Sequence, residues 1–253
     1  MTTQRIALIT GANRGLGRST ALNLAGKGID VIATYRGNGE EAAEVVAAVE
    51  QLGRTAVALQ LDVGDHGSFD AFAEQVETAL RERWGRDSFD VLVNNAGASY
   101  GALLSETTEA GFDEIFDVHV KGVFFLTQRL LPLLADGGDV VNISTGLTRF
   151  SFPGYSAYAA AKGAVEVLTR VLALELGGRG ITVNAIAPGA VATDFGDGHI
   201  RKDAELQKAI EAQTAFGRVG EPDDVGGAIA ALVTSSSRWV TGQRIEVSGG
   251  MRL

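Results

Sequence analysis

Residues 6–17 read Ile-Ala-Leu-Ile-Thr-Gly-Ala-Asn-Arg-Gly-Leu-Gly. The apolar run Ile6–Ile9 has no polar alternation, which is typical of a strand buried on both faces. A glycine turn follows this strand, and residues 15–27 then have a helical pattern. A strand, a glycine turn and a helix N-terminus together place free backbone N–H groups where a phosphate can bind. The stretch therefore predicts a nucleotide-binding unit, with a tight ligand-free turn as the alternative.

The remaining chain alternates strand-like and helical segments, which predicts a parallel sheet with helices on both faces. The predicted strands are Ile6–Thr10, Asp30–Thr34, Ala56–Leu61, Val91–Asn94, Val140–Ser144, Thr182–Ile186 and Arg244–Val247. The predicted helices are Gly15–Lys27, Glu40–Leu52, Ser68–Trp84, Glu109–Leu131, Tyr155–Leu176, Ala204–Gln213 and Pro222–Thr234. No Pro- or Ser-rich linker interrupts this order, so we predict one α/β domain over residues 1–253. Its sheet would be of the Rossmann type, doubly wound from about seven strands.

Composition excludes several classes of function. The 253 residues carry a formal net charge of −9, which argues against a nucleic-acid surface. The sequence has no cysteine, and its histidines form no metal-binding motif, so we expect no metal. No apolar run approaches the roughly 18 residues of a membrane span. A strand predicted from Ile6 leaves no room for a signal peptide, so we expect a cytoplasmic protein without membrane partners.

A second motif carries acid–base chemistry. Tyr158 and Lys162 form a Tyr-x-x-x-Lys pair, one helical turn apart on one face. A phenol with a reference pKa near 10 is a poor proton donor or acceptor at pH 7, and a neighbouring ammonium lowers that pKa. Tyr155 shares the face but lies two turns from Lys162, so Tyr158 is the better candidate.

Three motifs now stand in a fixed order: Thr-Gly-x-x-x-Gly-x-Gly at 10–17, Asn-Asn-Ala-Gly at 94–97 and Tyr-x-x-x-Lys at 158–162. Together they resemble the short-chain dehydrogenase/reductase family over the whole chain, and in particular its 3-oxoacyl-[acyl-carrier-protein] reductases. The resemblance implies hydride transfer between a nicotinamide and a carbonyl or alcohol substrate. It implies that the cofactor contacts Gly11, Asn13, Arg14, Gly15, Leu16, Gly17, Tyr35, Arg36, Asp62, Val63, Asn94, Ala96, Gly97, Tyr158, Lys162, Pro188, Gly189, Val191 and Thr193.

Two active-site positions depart from the family pattern. The family's carbonyl-orienting serine falls on Thr145, which keeps the hydroxyl; period-two alternation aims the neighbouring Ser144 at the opposite face. The family's active-site asparagine falls on His119, on the apolar side of its predicted helix. Histidine can bond a water and titrates near neutrality, so His119 is either a working substitute or a buried structural residue. The predicted catalytic set is therefore Tyr158, Lys162, Thr145 and His119.

The end of the second predicted strand bears on cofactor choice. An acidic residue there would select NAD by binding the ribose 2′-hydroxyl, and this chain has Tyr35 followed by Arg36. Arg14 in the glycine turn can reach the same place. Two guanidinium groups without a carboxylate favour a 2′-phosphate, and hence NADP over NAD; the alternative is two ordinary solvated arginines.

Residues 194–220 are polar and contain Gly196, Gly198 and Gly217 as candidate hinges, so we predict a substrate lid there. The helix after Tyr155 is apolar on nearly all sides, and Phe124 lies in a polar stripe. With the resemblance, this pattern predicts a homotetramer. The leading hypothesis is an NADP-dependent reductase of a small carbonyl substrate. The alternatives are an NAD-linked sugar or steroid alcohol dehydrogenase, and a catalytically impaired dinucleotide-binding regulator.

Overall fold

The computed structural model describes residues 4–236 and 238–253. Those residues form a seven-stranded parallel sheet. Its strands are β1 (Ile6–Ile9), β2 (Asp30–Tyr35), β3 (Ala56–Gln60), β4 (Phe89–Asn94), β5 (Leu134–Ile143), β6 (Thr182–Pro188) and β7 (Arg244–Val247). The predicted doubly wound α/β fold is confirmed, and a single domain over residues 1–253 stays a prediction, with residues 1–3 and 237 outside the described part.

The helices of the described residues cover both faces of this sheet. They are α1 (Gly15–Gly26), α2 (Gly39–Gln51), α3 (Phe69–Trp84), α4 (Glu109–Phe116), α5 (Gly122–Leu130), α6 (Ser156–Leu176), α7 (His199–Lys202), α8 (Ala204–Glu211) and α9 (Pro222–Thr234). Two buried clusters result, one on each face. Ala7 and Ile9 of β1 lie in one cluster, and Ile6 and Leu8 lie in the other. This alternation explains why the sequence of β1 is apolar at every position.

The strand order is β3-β2-β1-β4-β5-β6-β7, so the chain reverses its direction of growth between β1 and β4. β1 pairs with β2 on one side and with β4 on the other. In an open parallel sheet, the crevice for a ligand lies outside the carboxyl ends of the strands at such a switch point. The segments after β1, β4, β5 and β6 therefore start at one edge of the sheet.

The stretch predicted as one helix, Glu109–Leu131, is helical throughout but is not uniformly α-helical. A π-helical turn at Asp117–Lys121 separates α4 from α5, and a short 3₁₀ turn follows α5. The Gly122 amide donates to the Asp117 carbonyl, five residues back, and His66 Nε2 lies 3.0 Å from the same oxygen. Such a turn is common at functional sites because it reorients the side chains that follow it. Here it contains His119, which is only 1% exposed.

Residues 194–220 contain a 3₁₀ turn (Phe195–Gly198), α7 and α8. Backbone φ is +61° at Gly196, +59° at Asp197 and +71° at Gly198, a run of left-handed residues that glycine favours. A moving lid stays a prediction. None of the helices in the described ranges has the length and apolar character needed to cross a membrane.

Candidate active site

The turn after β1 is tied to the turn after β4 by two side chains. Thr10 Oγ1 accepts hydrogen bonds of 2.9 Å from the amides of Asn95 and Ala96. In return, the Asn95 side-chain amide donates to the carbonyls of Thr10 (2.8 Å) and Gly11 (3.1 Å). Gly11 has a φ of +63°, and a Cβ placed on it would lie 3.1 Å from Ala96 Cα. These contacts fix the glycine turn at the switch point of the sheet.

The N-terminus of α1 is open to an anion. Arg14 is its N-cap residue but provides no side-chain cap, and the first turn contains no acidic residue. The first amides of this helix therefore have no anionic partner within their own turn, and the helix dipole favours negative charge there. Gly17 lets the first turn of α1 pack closely against the glycine turn, because a Cβ at this position would lie 2.2 Å from the Gly11 carbonyl oxygen. Leu16 packs against the core.

Arg14 and Arg36 are both exposed, and within the described ranges neither forms a salt bridge. Their guanidinium groups are therefore available to an anionic ligand. Tyr35, at the end of β2, packs its ring 3.5 Å from the position of a Cβ on Gly39. Asn13 of the glycine turn donates to Glu41 Oε2 at 2.7 Å. Glu41 is a contact that the sequence did not reveal.

Three of the predicted catalytic residues meet beside β5. Lys162 is 4% exposed, and its ammonium donates to the Ile143 carbonyl at 2.7 Å. Its Nζ lies 5.9 Å from the centre of the Tyr158 ring. Thr145 is 9% exposed, and its side chain lies close enough to the Tyr158 hydroxyl to lower the pKa of that phenol. The phenol, the hydroxyl and the ammonium thus form one cluster at the carboxyl end of β5.

The pKa values of this cluster differ from the expectation. Burial raises the pKa of Tyr158 above its ordinary value, and the Thr145 side chain only partly opposes this. Burial also lowers the pKa of Lys162 to about 7, so this lysine is only partly charged at neutral pH. The expectation that Lys162 lowers the pKa of Tyr158 is not met in the free protein, because desolvation dominates both groups.

His119 lies against the phenol, with the two ring centres 5.3 Å apart. Its Nε2 lies 2.8 Å from the Ala98 carbonyl, which favours the tautomer with a proton on Nε2. Nδ1 is then a buried acceptor, and it has no partner among the described residues. Burial and the charge of Lys162 lower the pKa of His119 to about 3, whereas the Ala98 bond raises it. The expectation that His119 titrates near neutrality is therefore wrong.

Asn94 faces the interior rather than the crevice. Its side-chain amide donates to Asn142 Oδ1 at 2.8 Å and to Thr127 Oγ1 at 3.0 Å, and Asn142 donates in turn to Thr169 Oγ1 at 2.9 Å. This buried network joins β4, β5, α5 and α6. Because buried amides are costly unless they are hydrogen-bonded, it also fixes the strand ends that carry Ala96 and Thr145. Gly97 lies under the His119 ring, where a Cβ would be 2.7 Å from Cε1.

The remaining predicted cofactor residues lie around the same edge. Asp62 is exposed and accepts a 2.9 Å bond from the Gly64 amide, as a turn-capping residue does, and Val63 beside it is buried. The Gly189 amide donates to the Val247 carbonyl, and Val191 pairs with Gly220.

The segment after β6 closes the crevice from the other side. Pro188 ends β6. Thr193 lies 3.8 Å from the position of a Cβ on Gly15. The Phe195 ring lies 6.2 Å from that of Tyr158. The structure thus brings the segment after β6, the glycine turn and the phenol to one crevice.

Comparison with known proteins gives the family. Residues 11–252 match the family model described as Enoyl-(Acyl carrier protein) reductase. The chain is 38% identical over 248 residues to 3-oxoacyl-[acyl-carrier-protein] reductase FabG of Staphylococcus aureus, with 97% of each chain covered. The chain belongs to the short-chain dehydrogenase/reductase family. It is therefore an oxidoreductase.

Solved structures agree with this assignment. The reductase LugOII, described as catalysing keto-reduction at C1 during lugdunomycin biosynthesis, superimposes with a TM-score of 0.93 at 38% identity over 99% of both chains. The angucycline C-6 ketoreductase LanV, solved with bound NADP, gives a TM-score of 0.92 at 37% identity over 98% of this chain and 95% of its own. As in the resemblance drawn from the motifs, these relatives are reductases.

The buried lysine predicts an unusual dependence of stability on pH. Between pH 7 and 10.5 the unfolded chain binds the Lys162 proton that the folded protein releases, so the free energy of unfolding rises with pH across this window. Below pH 7 the folded protein must hold a buried charge. Lys162→Met should therefore stabilise the free protein most at pH 6, by an amount on the order of 4 kcal/mol, and least near pH 10.

Urea unfolding of wild type and variant at pH 6, 8 and 10 measures this difference. Lys27→Met is the matched control, because Lys27 is exposed. A stabilisation by Lys162→Met that is the same at every pH, or equal to that of the control, would contradict the lowered pKa of Lys162 in the folded protein.

Proposed function

We propose that this chain is an NADP-dependent carbonyl reductase in which Tyr158 is the proton donor. The observation that carries the proposal is the cluster of Tyr158, Thr145 and Lys162 at the same edge of the sheet as the open N-terminus of α1. A phosphate site and a proton donor in one crevice are what hydride transfer from a dinucleotide requires. Tyr158 donates, Thr145 orients the carbonyl oxygen, and Lys162 returns the proton.

The raised pKa of Tyr158 keeps the phenol protonated at neutral pH in the free protein. A phenol that stays protonated at neutral pH can give its proton to the oxygen of a carbonyl as negative charge develops there. When bound, the nicotinamide supplies the hydride to the carbonyl carbon. The substrate gains one hydride and one proton, and the product is an alcohol with oxidised cofactor. Thr145, which lies near Tyr158 at the end of β5, holds the carbonyl oxygen beside the phenol.

Lys162 and His119 complete the proton path. With a pKa lowered to about 7, Lys162 can give a proton to the tyrosinate after each turnover and regain it from solvent. His119 keeps its charge unchanged above pH 5, so it acts as a hydrogen-bond acceptor rather than as an acid. Its orphaned Nδ1 suits a water in the position where the family's asparagine would hold one. We propose that His119 replaces that asparagine.

The residues present fit the proposed cofactor. The left-handed Gly11 and Gly15, with the uncapped α1, form the phosphate cradle. Arg14 and Arg36 are free to pair with a 2′-phosphate, and the residues at the end of β2, Tyr35 and Arg36, are not acidic. The NADP bound in the LanV structure supports the same choice. NAD is the less favoured alternative.

A cavity of about 360 Å³ lies next to Tyr155, the residue before α6, and its apolar walls support a substrate with an apolar body. Its walls include Leu103 and Leu104 after β4, Phe152 and Tyr155 before α6, and Ala159 on α6, whereas the cluster residues Tyr158, Thr145, Lys162 and His119 do not line it. The Tyr155 ring lies 6.5 Å from that of Tyr158. The names of the relatives give two ketone classes to test, a 3-oxoacyl thioester and an angucycline ketone. Both have an apolar portion for these walls.

Exposed apolar side chains support the proposed homotetramer. Phe124 is 43% exposed on α5, and Leu174 is 84% exposed on α6. Val167 and Val171 lie half-exposed on the same helix. Exposed apolar side chains of this size on two helices are typical of an interface between copies. The lid at residues 194–220 and the cytoplasmic location also stay predictions.

Tyr158→Phe tests the proposed chemistry. The variant keeps the ring and should bind NADPH like the wild type, but it should lose at least about 100-fold in kcat because the transferred proton is gone. Turnover is measured as NADPH oxidation with 3-oxoacyl thioesters, angucycline ketones and quinones. Tyr100→Phe is the matched control, because the Tyr100 hydroxyl accepts from the Thr108 amide at 3.1 Å and lies outside both the cluster and the cavity walls, and this variant should retain most activity.

Equal turnover by Tyr158→Phe and wild type would contradict the mechanism. NADPH binding by the wild type without oxidation of any of these substrates would instead favour a dinucleotide-binding regulator.

Arg14 and Arg36 determine cofactor choice on this account. Replacing either one by alanine should weaken NADPH binding by roughly 10- to 100-fold, since a charge-assisted hydrogen bond is worth ~1.5–3 kcal/mol, and should leave NADH binding nearly unchanged. Titration of each variant with both cofactors by nicotinamide fluorescence gives the affinity ratio. Arg18→Ala, an exposed arginine on α1, is the control. An equal loss for NADPH and NADH would show that the two arginines do not read the 2′-phosphate.

A further inference from the structure

The segment between β5 and α6 is held by an ion pair that lies outside the proposed crevice. Glu166 is on α6 and Arg244 is on β7, and their side chains are 13% and 22% exposed. Arg244 Nε lies 2.8 Å from Glu166 Oε1. We infer that Glu166 and Arg244 form a positioning pair that holds Thr145 in place for Tyr158. This inference rests on the proposed carbonyl reduction.

The Glu166 carboxylate forms hydrogen bonds with one residue before Thr145 and one residue after it. Ser144 Oγ, just before it, donates to Glu166 Oε1 at 2.6 Å. Thr148 Oγ1, three residues after it, lies 2.6 Å from the same oxygen. Ser144 therefore points away from the crevice, as strand alternation predicts, and its hydroxyl is used to fix the backbone. One carboxylate oxygen of Glu166 thus binds both Ser144 and Thr148, which lie on either side of residues 145–147.

Arg244 forms a hydrogen bond with the backbone of Thr145 itself. Its Nη2 donates to the Thr145 carbonyl at 3.1 Å, and its Nε also lies 3.1 Å from Thr148 Oγ1. A guanidinium presents these donors in a rigid plane, so Glu166, Thr148 and Thr145 are held at fixed relative positions. Glu246 accepts from Nη1 at 2.9 Å and prevents the arginine from rotating away. The carbonyl side of Thr145 is thereby fixed to α6 and β7.

The Thr145 hydroxyl is the group of this residue that the proposed mechanism uses. Thr145 has an extended backbone, with φ −158° and ψ 154°, and its Oγ1 accepts from the Leu147 amide at 3.3 Å. Thr145 follows the end of β5, where the Ile143 carbonyl accepts from Lys162 Nζ, which lies 5.9 Å from the centre of the Tyr158 ring. Fixing the Thr145 carbonyl therefore fixes the direction of its hydroxyl. Because a displacement of about 1 Å in a catalytic group can cost roughly 100-fold in rate, the pair acts on turnover without touching substrate.

A double-mutant cycle separates positioning from general stability. Arg244→Met should lower kcat by roughly 10- to 100-fold and leave the KM for NADPH unchanged. In a Thr145→Val background, which lacks the positioned hydroxyl, Arg244→Met should lower kcat less than about twofold, since residues that act as a unit are not additive. Arg244→Lys keeps one donor and should recover part of the loss.

One further variant serves as a control, and another replaces Arg244→Met if that variant does not fold. Arg86→Met is the matched control, because Arg86 pairs with Asp90 at 2.8 Å with 17% exposure on each side, at the opposite end of the sheet. It should leave kcat unchanged. If Arg244→Met does not fold, Glu166→Gln is taken through the same cycle, since it removes the charge but keeps an acceptor for both hydroxyls.

The outcomes are distinct. A loss in kcat that disappears in the Thr145→Val background supports the positioning pair. The same fold-loss in both backgrounds, or a comparable loss with Arg86→Met, overturns it while leaving carbonyl reduction intact. A wild-type protein that oxidises no NADPH with any substrate overturns the proposed function and the positioning pair together.

Discussion

A buried ammonium at the carboxyl end of β5 is the constraint on which the site depends. Lys162 reaches the interior from α6, and the Ile143 carbonyl is the hydrogen-bond acceptor that the described structure offers it. No carboxylate neutralises it within the described ranges, so burial lowers its pKa to about 7. On the proposed mechanism, an amine that titrates near neutrality can return protons to the phenol.

The polar groups around this lysine fall into two networks with different tasks. The amides of Asn94 and Asn142 join the two central strands to the helices that flank them. The Glu166–Arg244 pair joins the turn after β5 to α6 and β7. The first network fixes the strand ends, and the second fixes the hydroxyl of Thr145. The residues around Tyr158 are therefore carried by backbone segments that cannot shift independently of one another.

Much of this arrangement could be predicted from the sequence because its signals are local. β1 is apolar at each position since both faces are buried, and the glycine turn follows it directly. The Tyr158–Lys162 spacing also reports one face of one helix. By contrast, a helical wheel assumes α-helical spacing throughout, so it could not show the π turn at Asp117–Lys121. Arg244 and Glu166 are 78 residues apart, and only the folded sheet brings them together.

The direction of the pKa shifts also required the structure. The sequence places an ammonium near a phenol, which alone would lower the pKa of Tyr158. The fold turns Nζ toward the Ile143 carbonyl and removes water from both groups, so the pKa of the phenol rises instead. His119 shows the same effect, since burial takes its pKa to about 3. Desolvation depends on every neighbour in space, which spacing along the chain does not report.

A crystal structure of the protein with NADPH tests the central claim most directly. The account predicts phosphate oxygens on the amides at the start of α1 and a nicotinamide ring beside the Tyr158 hydroxyl. A cofactor bound elsewhere, or a Tyr158 hydroxyl pointing away from the nicotinamide, would contradict it.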